Sequence, residues 1–88
     1  MWRARYSNRF ENRYKRLDDE LAEQVDDAIR TLLLTDRPER LGKPKTGRRK
    51  GYFAWEFGRY CRLLFKPNYK EMLIDFFRVC SHKEVYES

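Results

Sequence analysis

No stretch of this chain approaches the roughly 20 consecutive apolar residues that a membrane-spanning helix needs, so no membrane role is expected. The opening MWRARYSNRF puts arginines where the apolar centre of a secretion signal would stand. The expectation is a soluble, cytoplasmic protein. Histidine occurs once, as His82, and the two cysteines, Cys61 and Cys80, have no paired spacing. That combination offers no metal-ligand set, so neither a metal nor another cofactor is expected. Both cysteines fall in segments that read as strands. They are expected to be reduced, buried thiols acting as small hydrophobes, with a disulfide between neighbouring strands geometrically open. Internal repeats and low-complexity tracts are absent as well.

What is present is a compact amount of apolar material and an uneven charge. Apolar residues are 41% and aromatics 16% of the 88 residues, enough for one core in one domain spanning 1–88. The net charge is +6, but it is polarised along the chain. Residues 1–16 hold six cations against one acid, and residues 17–36 hold seven acids against one cation. Residues 37–50 reverse the sign again, with seven cations and one acid. Clustered Lys and Arg favour a polyanionic partner, because phosphate neutralisation releases counterions. The stretch GKPKTGRRKG carries Lys43, Lys45, Arg48, Arg49 and Lys50 on a glycine-rich loop. Such a loop suits contact with nucleic-acid backbone rather than the reading of bases.

Periodicity gives the elements. Trp2, Ala4 and Tyr6 alternate with Arg3 and Arg5, which predicts a short strand. Asn8 with Glu11 resembles a capping box, and Asp18 followed by Asp19 and Glu20 resembles a second helix start. Leu21, Val25, Ala28, Ile29, Leu32 and Leu33 then continue an apolar stripe that Arg37-Pro38 closes. From Tyr52 the period becomes two, in YFAWEF, CRLLFK and MLIDFFRV, with turns at Gly58-Arg59 and Pro67 to Lys70. The expected fold is α+β in the order β-α-α-β-β-β: an antiparallel sheet with two N-terminal helices packed on one face. Cys61, Leu63 and Phe65 are expected in the core. Arg62, Leu64 and Lys66 then lie on the open face.

Taken in order, several pieces resemble the RelE/ParE toxin superfamily, and RelE-like mRNA interferases above all. They are Gly42-Lys43-Pro44-Lys45-Thr46-Gly47, Gly51-Tyr52-Phe53-Ala54-Trp55, Cys61-Arg62-Leu63-Leu64-Phe65 and the run from Val79 to Tyr86. The resemblance covers nearly the whole chain. It implies the toxin of a type II toxin–antitoxin pair, partnered by a cognate antitoxin, that cuts mRNA on the ribosome through a ribose 2′-hydroxyl. Arg62 falls on the arginine that contacts the scissile phosphate in RelE-like chains, and Tyr86 on a C-terminal tyrosine used by several of them. His82 falls where such chains carry an arginine or, in some relatives, near a histidine. There are two departures. Phe53 and Trp55 stand where typical members carry lysines, and Lys45 stands where some carry a glutamate base.

Self-cleavage of RNA needs a base for the hydroxyl, cations on the phosphate and an acid for the leaving oxygen. Arg62 suits the phosphate, since its planar fork stays protonated, although it could instead pair with Glu56 across the hairpin. His82 and Glu56 are the candidate bases. Tyr86 can stack or donate a proton. Lys83 and Arg78 add cations, and Trp55, Tyr52 and Tyr60 offer stacking surfaces, with Trp55 better placed in the core. Two rival readings stay open. ParE-like members share the fold and inhibit DNA gyrase without nuclease residues, and an RNA-binding module need have no activity at all. An antitoxin is expected to cover the exposed face with acidic residues against Arg62, helped by an uncovered Leu64.

Overall fold

The computed structural model describes residues 1–45, 47, 50–57 and 61–80. Strand β1 (Arg3–Tyr6) leads into helices α1 (Asn8–Tyr14) and α2 (Asp19–Leu34). Ser7, not Asn8, caps α1: its hydroxyl accepts from the Phe10 amide at 3.0 Å and donates to the Phe77 carbonyl at 2.7 Å. Ser7 holds the extended backbone that a cap requires, whereas Asn8 is already helical. Asp18 caps α2 as its acid run implies, accepting from the Leu21 amide at 2.8 Å. Helix α2 buries Val25, Ala28, Ile29 and Leu32, and a 3-10 turn over Pro38–Leu41 follows it.

Four more strands complete the sheet: β2 (Lys43–Pro44), β3 (Phe53–Phe57), β4 (Cys61–Asn68) and β5 (Leu73–Val79). Their order across the sheet is β1-β5-β4-β3-β2. Strands β2 to β5 pair antiparallel, as short connections dictate, but β1 joins β5 in parallel. The wholly antiparallel sheet expected from the sequence therefore needs one correction. Both helices lie between β1 and the other strands, and a connection of that length permits parallel pairing. Strand β2 is only two residues long, too short to show alternation. Pro67 and Asn68, expected in a turn, instead extend β4 opposite Ile74 and Leu73. Beyond Phe65 no β3 residue pairs with β4, and proline tolerates such one-sided pairing.

The core lies between the helices and one sheet face, around Phe10, Val25, Leu32, Leu63, Phe65, Ile74 and Phe76. The Trp2 indole ties β1 to the end of α2 by donating to the Thr35 carbonyl at 2.9 Å. The cysteines correct a second expectation, because Cys61 and Cys80 form a disulfide. The Cys80 amide donates to the Arg62 carbonyl at 2.8 Å, so strand pairing itself brings Cys80 beside the start of β4. Cys80 accepts a left-handed φ of 51° there. Among the described residues, no helix is long and apolar enough to cross a membrane.

Candidate active site

The pleat of β4 sends Cys61, Leu63 and Phe65 to the helices and Arg62, Leu64 and Lys66 to the opposite face. On that face Glu56 and Ala54 of β3 lie across from Arg62 and Leu64, and Lys43 of β2 lies across from Ala54. On the other flank, Arg78 and Asp75 of β5 lie across from Leu64 and Lys66, and Arg5 of β1 lies across from Asp75. A register shift between Leu64 and Phe65 lets both Phe76 and Val79 reach the core.

Arg62 bonds Glu56 across the hairpin, Nη2 to Oε2, at 2.5 Å. The arginine side chain is 31% exposed and the glutamate 61%. A cross-strand pair this exposed is worth about 0–1 kcal/mol, so an incoming phosphate can take the place of Glu56. The Nε of Arg62 is buried and, among the described residues, makes no hydrogen bond. Beside the pair, Leu41, Lys43, Pro44, Lys45, Ala54, Trp55, Glu56 and Arg62 enclose a shallow cavity of about 410 Å³. Gly42 makes its wall possible. A Cβ there would stand 3.1 Å from the Ala54 carbonyl oxygen and 3.1 Å from the Phe65 ring.

Neither a family model nor a curated protein matches the sequence. Solved structures do match it. The RelBE2 toxin–antitoxin complex of Mycobacterium tuberculosis aligns with a TM-score of 0.77 at 22% identity, over 89% of this chain and 94% of that one. The RelBE complex of E. coli gives 0.74 at 14% identity, over 90% and 94%. A YoeB/ParE toxin from Agrobacterium tumefaciens gives 0.75 at 19% identity, over 88% and 94%. The chain has the RelE/ParE toxin fold. At these identities the likeness is one of fold, and activity has to be argued from the residues on the open face.

Within this RelE/ParE fold the expected site residues separate into groups. Arg62, Glu56, Lys43 and Lys45 come together at the cavity. Arg78 shares their face, its guanidinium carbon 5.5 Å from the centre of the Phe77 ring. Lys50 is exposed and lies apart from the cavity, in the turn where its amide donates to the Gly47 carbonyl at 3.1 Å. Arg48, Arg49, His82, Lys83 and Tyr86 lie outside the described residues, as does Tyr60. Phe53 and Trp55, where the resemblance to the superfamily implies lysines, pack against the core on the helix side of the sheet, although Trp55 also borders the cavity beside Arg62. The residues of that segment on Arg62's face are Ala54 and Glu56, so the cavity's lysines come from the β2 side instead. Leu64 is only 5% exposed, which removes the uncovered apolar spot that the sequence implied. Arg5, which had no assigned role, is bound by Asp75 at 2.5 Å, and that hydrogen bond raises its pKa above the ordinary arginine value. Among the described residues no cluster of three or more His, Cys, Asp or Glu could hold a metal ion.

Proposed function

We propose that this chain is the toxin of a type II toxin–antitoxin pair and acts in the cytoplasm as a ribosome-dependent mRNA endoribonuclease. The observation that carries the reading is Arg62, held on the open face of a RelE/ParE fold beside a cavity with two lysines and an exchangeable carboxylate. In the reaction the scissile phosphate displaces Glu56 from Arg62, and the fork binds two phosphate oxygens. Lys43 and Lys45 add charge where the pentacoordinate phosphorus becomes more negative. A base takes the proton of the ribose 2′-hydroxyl, O2′ attacks the adjacent phosphorus, and the 5′-oxygen leaves with a proton. The products are a 2′,3′-cyclic phosphate and a 5′-hydroxyl. Glu56, once released from Arg62, and His82 are the candidate groups to take that proton. Tyr86 stacks on a base or supplies the leaving proton, and Arg48, Arg49, Lys50, Arg78 and Lys83 hold flanking phosphates. The cognate antitoxin silences the site by placing acidic side chains against Arg62 and the two lysines.

A second reading has its own observation. Strand β3 brings no cation to the open face, since Phe53 and Trp55 face the helices. A ParE-like inhibitor of gyrase needs none there. Purified toxin, freed of antitoxin and added to programmed ribosomes, separates the two. Wild type cleaves the mRNA, Arg62→Ala slows cleavage about 10²-fold or more, and whichever of Glu56→Gln and His82→Ala abolishes the rest identifies the base. A folded wild-type protein that leaves the mRNA intact and blocks gyrase supercoiling overturns the nuclease reading.

A further inference from the structure

We propose that Tyr52 is a nucleobase-stacking subsite for single-stranded RNA, lying along the open face from Arg62. The inference rests on the reading above only in taking this face as the RNA-binding one. Of the aromatic residues with stacking potential, Trp55 packs toward the helices, and Tyr60 and Tyr86 lie outside the described residues. Tyr52 sits just before β3, where the Lys45 amide donates to its carbonyl at 2.9 Å. Continuing the β3–β4 register places it across from Lys66, on the same face as Arg62. Its ring is half-buried and braced by Phe77, with centroids 5.6 Å apart and planes inclined at 51°. A braced ring loses little rotamer freedom when a base stacks on it.

Phosphate-binding groups flank the ring. Lys66 Nζ lies 5.5 Å from its centre. Asp75, the acid across from Lys66, is held by Arg5, so among the described residues Lys66 forms no ion pair and can turn from the ring to a phosphate. Between Tyr52 and Arg62 the floor is Ala54 and Leu64, apolar and 7% and 5% exposed. Lys43 and Lys45 edge that floor on one side and Arg78 on the other. The four residue steps from Arg62 to Lys66 span roughly 13 Å of strand, room for a short run of nucleotides. An aromatic plane under a cation that can swing from the ring to a phosphate fits single-stranded RNA, whose bases are free to stack. A duplex hides its base faces, and an acidic peptide would use the cations alone.

The test is binding of a short fluorescent RNA with 2′-O-methyl riboses, which cannot be cut and so reports binding whether or not the protein is a nuclease. Tyr52→Ala is expected to weaken binding roughly 5- to 150-fold, whereas Tyr52→Phe, which keeps the ring, stays near wild type. Lys66→Met is expected to make the salt dependence shallower by about 0.7 in logarithmic slope. Duplex RNA and polyglutamate are expected to bind Tyr52→Ala and wild type alike. Equal affinity of Tyr52→Ala and wild type for the single strand overturns the subsite. So does an equal loss on duplex or polyglutamate, which would mark the face as a general polyanion or acidic-peptide surface. If the stacking loss is seen but wild type cuts nothing on ribosomes, the subsite stands and the nuclease reading falls. Cleavage with an unimportant Tyr52 gives the reverse.

Discussion

Replacing Gly42 by alanine tests how the cavity wall is built. The new Cβ would stand 3.1 Å from the Ala54 carbonyl oxygen, 3.1 Å from Phe65 Cε1 and 3.2 Å from Phe53 Cβ. The carbonyl belongs to the strand that pairs with β2, and Phe65 is fully buried, so neither has room to withdraw. Overpacking of this kind costs about 1–3 kcal/mol. Loss of glycine's freedom in the unfolded chain returns about 0.4–1 kcal/mol. At the middle of both ranges the net loss is about 1.3 kcal/mol, which for a domain of this size lowers Tm by about 5–10 °C. Because β2 must move off β3 to make space, Lys43 shifts relative to Arg62, and anion binding at the cavity weakens with it. Calorimetry and phosphate titration followed by NMR read the two effects. A Gly42→Ala protein that melts at or above the wild-type temperature refutes the close approach on which this reasoning depends.

Three further outcomes are expected. Reducing the Cys61–Cys80 bridge, which spans a sequence separation of 19, removes about 3 kcal/mol in the chain-entropy account. That lowers Tm by about 12–24 °C in calorimetry with a phosphine reductant, and a Cys61→Ser/Cys80→Ser variant should match the reduced protein. Burial of Tyr6 and Tyr69 and the 2.7 Å hydrogen bond from Tyr14 to Asp26 raise all three phenols above the usual 10.0. The fold thus favours the neutral rings, so this contribution is complete below about pH 10 and lost as pH rises through the folded-state values; denaturant midpoints should hold to that pH and then fall, less steeply for Tyr14→Phe. Ser7→Ala removes both the α1 cap and the bond to the Phe77 carbonyl, at about 1–2 kcal/mol in urea unfolding.

Much of the fold was legible because single residues carried it. Alternation in CRLLFK places Cys61, Leu63 and Phe65 in the core and Arg62 opposite, as the sheet does. The Asp18 cap follows from the acid run. Long-range partnership was harder to read. The direction in which β1 pairs, the existence of β2 and the meeting of Cys61 with Cys80 depend on residues far apart in sequence. The same limit applied to the site. Alternation set Lys66 on Arg62's face, but only the sheet shows Asp75 held by Arg5 and Tyr52 set between Phe77 and Lys66. Resemblance pointed to Phe53 and Trp55 as the positions of missing lysines. The pleat turns both away from Arg62, and the cavity draws its lysines from positions 43 and 45.

The most direct test of the central claim is the chemistry of the ends made when purified protein meets mRNA on programmed ribosomes. The account predicts fragments with 2′,3′-cyclic phosphate and 5′-hydroxyl ends, formed by wild type and reduced about 10²-fold or more by Arg62→Ala. Intact mRNA with folded wild-type protein, or cleavage that Arg62→Ala leaves unchanged, would contradict it.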